Sequence, residues 1–229
     1  MILIPEIETV VILVPRTGSG SLRRALASHY PYPRSQLIYR HMEADGVPAG
    51  YDRWKKVGVI RNPVDRLWSL YRYLQNFAGN HKPAYIESMR RCVAGQTFSE
   101  WVVNNHVPFT TPYATEGSHQ FYPVFTVKHA KPENRKSQYD YLRPDLGTEI
   151  YPFERLDLLA VRLGLPKEAL DKAWTHKTTA EPLPALSEEA LDHIERFFAW
   201  DAVEHPRALS AAAATPVRTP APSAQPILY

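Results

Sequence analysis

The stretch Val10-Val-Ile-Leu-Val14-Pro15-Arg16-Thr17-Gly18-Ser19-Gly20-Ser21 decides the fold that we predict. Its first five residues are apolar and mostly β-branched, which is typical of a buried parallel strand. Residues Pro15 to Gly20 are rich in Gly, Ser and Thr and predict a turn, and the residues from Ser21 to Ser28 predict a helix. A strand, a tight glycine loop and a helix together open a nucleotide-binding βα unit.

The loop has the composition of a phosphate site. Backbone N–H groups at the start of the helix point the same way, and the helix dipole adds partial positive charge. Arg16 supplies a full charge, and Thr17, Ser19 and Ser21 supply hydroxyls. The Gly-Lys-Ser/Thr ending of a Walker A loop is missing, which argues against an ATPase or kinase whose loop holds Mg²⁺. An ordinary glycine-containing βα turn would look similar, so this loop alone leaves both interpretations open.

A second stretch repeats the strand-to-helix pattern. Val57 to Ile60 predicts another strand, and Arg61-Asn-Pro63 leads into a helix, since proline suits the first helical turn. Arg61 therefore stands at the carboxyl edge of the sheet, where open α/β sheets bind ligands. Ser69 lies two turns into the helix, and an arginine with a serine hydroxyl suits a second phosphate. The alternative is a surface arginine with a serine on a solvated helix face.

The remaining signals extend this alternation of strands and helices along the chain. They comprise short strands at Leu37–Tyr39 and Ile150–Phe153, helices at Pro83–Val93, from Thr97, at Glu154–Leu163 and from Ser187 to Trp200, and weak signals from His106 to Gly147. These elements predict one α/β domain over residues 1–207. From Ala208 to Tyr229 the composition changes to Ala, Pro, Ser and Thr, which predicts a tail that does not fold by itself. The tail is a candidate for self-association or docking.

Composition limits the function classes. The chain has 229 residues, a formal net charge of +3 and one cysteine. So small a charge argues against a dedicated nucleic-acid binder, and one cysteine excludes both an internal disulfide and a cysteine-rich zinc site. We expect no metal centre. The N-terminal residues do not have the pattern of a signal peptide and no apolar run is long enough to span a bilayer, so we expect a cytoplasmic protein.

The two stretches, in this order, resemble the two signatures by which sulfotransferases bind 3′-phosphoadenosine-5′-phosphosulfate (PAPS). The first is similar to the 5′-phosphosulfate loop Pro-Lys-Thr-Gly-Thr/Ser-Thr/Ser-Ser, and the second to the 3′-phosphate motif Arg-x-Pro-x-x-Arg-x-x-Ser-x-Tyr. Ser137–Leu142 is similar to a segment of carbohydrate-type members, and three further segments resemble the usual C-terminal part of the family: Tyr151–Leu156, Leu163–Leu165 and Phe198–Asp201. The resemblance spans most of the chain from Val10 to Asp201. It implies the sulfotransferase fold, a P-loop-like three-layer α/β/α domain with a central, mainly parallel sheet.

The resemblance also implies a role for each matching residue. The 5′-phosphosulfate ligands would be Arg16, Thr17, Gly18, Ser19, Gly20 and Ser21, and the 3′-phosphate ligands Arg61 and Ser69. Arg16 stands where the family has a lysine that assists the leaving phosphate. Arginine can neutralise the developing charge but cannot donate a proton.

The acceptor's proton requires a base. His41 resembles the base of carbohydrate 2-O-type members and suits this task near neutral pH, and Glu43 is the second candidate. Both residues are also compatible with a structural role. Lys177, in His176-Lys-Thr178, is a candidate for a late loop that contacts the cofactor, or else belongs to an exposed connection.

The leading prediction is therefore a sulfotransferase that moves the sulfuryl group of PAPS onto an acceptor hydroxyl, releasing the product PAP; we expect the acceptor to be a carbohydrate. A non-catalytic module of the same fold is the first alternative, because Arg16 departs from the family lysine. A P-loop phosphotransferase is the second, and the missing Walker lysine argues against it.

Overall fold

The computed structural model describes residues 1–38, 41–78, 81–104, 116–119, 122–124, 133–173 and 181–214. Lys177 and the tail beyond residue 214 lie outside these ranges. So does most of the stretch between residues 105 and 132 that carried weak sequence signals.

The described chain is an α/β fold around a mixed five-stranded sheet in the order β3-β1-β2-β4-β7. These strands are β1 (Ile2–Ile4), β2 (Thr9–Ile12), β3 (Gln36–Leu37), β4 (Lys55–Ile60) and β7 (Thr148–Pro152). The pairs β2–β4 and β4–β7 are parallel, whereas β1 is antiparallel to both β2 and β3. Four strands thus run in one direction and β1 opposes them. A separate antiparallel pair is formed by β5 (Glu116–His119) and β6 (Tyr122–Val124).

Eight α-helices lie within the described residues. They are α1 (Ser19–His29), α2 (Pro63–Gln75), α3 (Pro83–Arg91), α4 (Phe98–Asn104), α5 (Gln138–Leu142), α6 (Leu156–Arg162), α7 (Lys167–Ala173) and α8 (Glu188–Ala213). The caps follow the sequence signals. Asn62 precedes Pro63 and caps α2, since its side chain accepts hydrogen bonds from the N–H groups of Val64 and Asp65. Thr97 and Glu100 form a reciprocal cap at the start of α4. Ser187 caps α8 through the N–H of Ala190.

Alternation along the strands gives the sheet two apolar faces. Val11, Val57 and Val59 point to the side covered by α1, α6 and α7, while Val10 and Ile12 point to the side where Tyr141 of α5 and Ala208 of α8 pack. Helices on both faces are compatible with a three-layer α/β/α domain. A third cluster joins α2, α3, α4 and the first half of α8.

Three sequence predictions require correction. Strand β1 was not predicted, because three apolar residues ahead of Pro5 are too short a signal. It makes the sheet mixed where a mainly parallel one was expected. The last helix does not end at Trp200: the backbone leaves helical geometry at Phe198 and then continues helical to Ala213. Ala208 and Ala212 are buried, so the composition change at residue 208 falls inside a packed helix.

No helix in the described ranges combines the length and the apolar character needed to cross a bilayer.

Candidate functional site

The loop between β2 and α1 has a strained, compact backbone. Arg16 has φ of 66° and Gly18 has φ of 76°, both in the left-handed region. For a residue with a Cβ this conformation costs about 1–2 kcal/mol, and such outliers concentrate at functional sites. The Thr17 hydroxyl donates to the carbonyl of Val14 at 3.0 Å, and Thr17 is buried. Its hydroxyl proton therefore closes the turn in this structure, and its contact with a ligand stays a prediction.

Helix α1 begins with several N–H groups that precede its first backbone bond. That bond runs from the N–H of Leu22 to the carbonyl of Gly18 at 3.0 Å. The N–H groups of Ser19, Gly20 and Ser21 lie ahead of it, at the positive end of the helix dipole. Such a helix start binds anions. The Ser21 hydroxyl also accepts from Arg24, 3.3 Å away.

Gly18 allows close packing against the chain that follows β7. A Cβ at this position would lie 3.2 Å from Cε2 of Phe153 and 3.3 Å from Cδ1 of Leu156. Only glycine combines this approach with a positive φ at low cost.

The structure brings the two sequence motifs into direct contact through Arg16. Its Nε and Nη2 both donate to the Ser69 hydroxyl oxygen, at 3.2 and 3.0 Å. Its guanidinium carbon lies 4.5 Å from the centre of the Tyr73 ring, one turn further along α2. Arg16 and Ser69 were predicted to bind different phosphates, and here they belong to one cluster.

Arg61 approaches the same loop from the end of β4. Its Nη1 donates to the Arg16 carbonyl at 3.2 Å, and its guanidinium lies 4.6 Å from the centre of the Phe153 ring. Burial lowers the pKa of Arg61, although the nearby carboxylates of Asp65 and Glu154 oppose this.

Arg16 also has a perturbed pKa, which burial lowers to about 10. The positive charge of Arg61 contributes in the same direction, and Tyr73 acts against it. Both arginines remain charged at neutral pH, so two cations share a partly buried site. An anionic ligand would stabilise such a pair.

His41 lies beside the strand that leads into the loop. Its Nδ1 is 2.9 Å from the carbonyl oxygen of Leu13. A carbonyl only accepts, so Nδ1 carries the hydrogen and the lone pair of the neutral ring is on Nε2. This tautomer suits a base that acts through Nε2.

Glu43 is placed differently from the sequence expectation. Its carboxylate is buried and forms an ion pair with Lys136, whose ammonium also lies 4.1 Å from the centre of the Tyr141 ring. A buried carboxylate that is held in an ion pair is poorly placed to meet an acceptor hydroxyl. The geometry favours a structural role for Glu43 and leaves His41 as the stronger candidate base.

Arg66 also has a role that the sequence did not predict. It lies on the buried face of α2, where it donates to Oε2 of Glu133 at 3.1 Å and to the carbonyl of Lys136 at 2.7 Å. It anchors residues 133–138 against α2 and contributes to the site only indirectly. The sequence signal was its position three residues before Ser69, which does not distinguish a ligand from a core arginine.

Three residues around Arg61 had no role of their own in the sequence analysis, where they stood only within segments of the family resemblance. Phe153 lies against the Arg61 guanidinium, Gln138 holds the Arg61 backbone, and Asp201 holds Gln138. The Ser137-Gln138 and Trp200-Asp201 segments were visible in the sequence, but a side chain that binds backbone groups carries no local signature.

Lys177 cannot be placed, since it lies outside the described residues. Among the residues that are described, no three His, Cys, Asp or Glu side chains are grouped so as to hold a metal ion.

Comparison with family models, with curated proteins and with solved structures finds no match for this chain.

Proposed function

We propose that this chain is a PAPS-dependent sulfotransferase acting on an acceptor hydroxyl, with a carbohydrate as the expected acceptor class. The proposal rests on one observation above all: Arg16, Arg61, Ser69 and the start of α1 form a single cluster. Its two arginines have lowered pKa values, which favours an anionic ligand. The family resemblance of the same residues supplies the identity of that anion. The finer assignment to the sulfotransferase fold is part of this proposal.

The donor set fits a ligand with two separate phosphate-type groups. The N–H groups at the start of α1 are one set of donors, and Arg61 with the Ser69 hydroxyl is the other. Arg16 connects the two members of the second set, since its carbonyl accepts from Arg61 and its guanidinium donates to Ser69. When bound, PAPS supplies the sulfuryl group that is transferred to the acceptor.

The chain's own residues have two tasks at the reacting groups in this proposal. Nε2 of His41 accepts the proton of the acceptor hydroxyl, in the tautomer that the Leu13 carbonyl fixes. Arg16 and the α1 amides stabilise negative charge at the loop. Arg16 does so without donating a proton, because a pKa of about 10 keeps it charged at neutral pH.

The first experiment is calorimetric titration of PAP into the native protein and into Arg61→Ala. Charge-assisted hydrogen bonds contribute about 1.5–3 kcal/mol, so we expect the variant to bind PAP roughly 10–100-fold more weakly. Arg34→Ala is the matched control. Arg34 pairs with Glu6 on the exposed surface, so its variant removes the same charge without touching the loop. ATP serves as the competing nucleotide and should bind weakly.

Absence of PAP binding by the native protein would refute the proposal. Equal losses in Arg61→Ala and Arg34→Ala would also contradict it, because net charge alone would then explain the affinity. If PAP binds, radiolabelled PAPS with a panel of polysaccharides and small alcohols tests transfer, and His41→Ala should abolish most of it. Tight PAP binding with no transfer across the panel would favour the non-catalytic alternative.

A further inference from the structure

The main chain of Arg61 is held by the side chain of Gln138. The Arg61 N–H donates to Oε1 of Gln138 at 2.9 Å, and Nε2 of Gln138 donates to the Arg61 carbonyl at 2.7 Å. The carboxamide therefore pairs with Arg61 as a neighbouring peptide group would in a sheet. The place of Arg61 in the sheet explains why its peptide groups need this partner. The β4–β7 ladder ends at the pair Ile60 and Pro152, so the peptide groups of Arg61 lie one residue beyond it.

Gln138 is in turn held by the carboxylate of Asp201 on α8. The Gln138 backbone N–H lies 2.9 Å from both carboxylate oxygens, and its Nε2 lies 3.1 Å from Oδ2. Both residues are fully buried. The two hydrogens of Nε2 thus go to the Arg61 carbonyl and to Asp201. The reverse orientation of the amide would place its oxygen against two acceptors, so the chemistry permits one orientation only.

We propose that Gln138, oriented by the buried Asp201 carboxylate, is a positioning residue that fixes the Arg61 backbone and thereby aims its guanidinium into the anion site. The inference rests on the proposed function insofar as Arg61 binds an anion. Arg61 extends from this fixed backbone to the Arg16 carbonyl and the Phe153 ring. Because misplacement of a binding group by about 1 Å can cost about 100-fold, the backbone anchor matters as much as the guanidinium itself.

Gln138→Met tests the inference, because methionine keeps the side-chain length and removes both amide hydrogen bonds to Arg61. Asn134→Ala is the matched control. Asn134 is an equally buried carboxamide in the same segment, but it donates to the carbonyl of Val102 instead. Both variants should lose some stability, since each removes buried hydrogen bonds.

Two readouts separate positioning from stability. Amide hydrogen exchange of the Arg61 N–H, measured on the protein alone, should accelerate at least about tenfold in Gln138→Met and stay native in Asn134→Ala. PAP affinity should fall about tenfold or more in Gln138→Met, and Asn134→Ala should keep it. Asp201→Asn, which keeps the shape but loses a two-oxygen acceptor, should show both effects to a smaller degree.

Equal changes in Gln138→Met and Asn134→Ala would overturn the inference, as would native PAP affinity in a Gln138→Met protein whose Arg61 amide is exposed. If Gln138→Met does not fold, Asp201→Asn decides between the same outcomes. If the native protein binds no PAP, the proposed function fails. The exchange measurement then decides the anchoring of Arg61 by itself: unchanged protection in Gln138→Met would refute it.

Discussion

Replacing Gly18 by alanine tests whether the loop is as tightly constrained as its geometry indicates. The left-handed φ of 76° costs a residue with a Cβ about 1–2 kcal/mol. The new Cβ would also lie 3.2 Å from Phe153 and 3.3 Å from Leu156, and overpacking of this kind typically costs about 1–3 kcal/mol. We therefore expect Gly18→Ala to lower the free energy of unfolding by about 2–5 kcal/mol.

Gly147→Ala separates the two contributions. Gly147 has nearly the same φ of 77°, but nothing lies within 4 Å of a Cβ built there. Its variant should cost only the conformational part, about 1–2 kcal/mol. Urea unfolding followed by tryptophan fluorescence measures both. Gly18→Ala should also weaken PAP binding, because a shift of Phe153 moves the ring on which Arg61 stacks. If Gly18→Ala costs no more than Gly147→Ala and binds PAP normally, the close packing at Gly18 has no role in the site.

Three further predictions concern stability, each measured by urea unfolding. Gly58→Ala places a Cβ 2.3 Å from Cδ2 of Leu142, so it should cost about 1–3 kcal/mol. Together with Leu142→Ala it should cost less than the sum of the two single losses; additive losses would contradict the contact. Glu43→Gln removes the carboxylate charge that faces the buried Lys136 ammonium and should cost about 3–5 kcal/mol, whereas Glu43→Gln with Lys136→Met should cost much less; an equal cost would argue against an ion pair. Burial raises the pKa of Asp201 from 3.8 to about 6. The folded state therefore holds this proton more tightly than the unfolded state. As the pH rises from about 4 to about 6, the contribution of Asp201 to the free energy of unfolding should fall, and above that range it should level off. Asp201→Asn should lack that fall, and identical pH profiles for the two proteins would refute the assignment.

The elements that could be predicted from the sequence are those determined by residues close together in the chain. Strand β2, the loop and α1 follow one another without interruption, and so do β4 and α2, so periodicity and capping residues were sufficient. Placing Arg61 at the strand end and Ser69 two turns into α2 needed nothing more. His41 near the sheet edge followed from the same kind of reasoning, and its contact with Leu13 agrees with that placement.

Contacts between distant residues could not be predicted in this way. The buried role of Arg66 is an example, because its partner Glu133 lies 67 residues further along the chain. A charged residue in a helix pattern reads as exposed, and only the tertiary structure reveals its buried partner. The ion pair of Glu43 could not be predicted for the same reason, because its partner Lys136 lies 93 residues away along the chain.

The arginine at position 16 follows from the contacts that this residue makes. A guanidinium offers Nε and Nη2 to one hydroxyl while its plane lies against Tyr73, whereas a lysine ammonium is a point donor without a flat face. Arg16 thus joins loop and α2 in a way that lysine at this position would not. The consequence is a second permanent cation beside Arg61, in surroundings that already lower the pKa of both. Neither can relieve the repulsion by losing its proton at neutral pH. Arginine at position 16 cannot donate a proton to a leaving group, but two cations in one partly buried cluster are the arrangement that the doubly anionic ligand proposed above would complement.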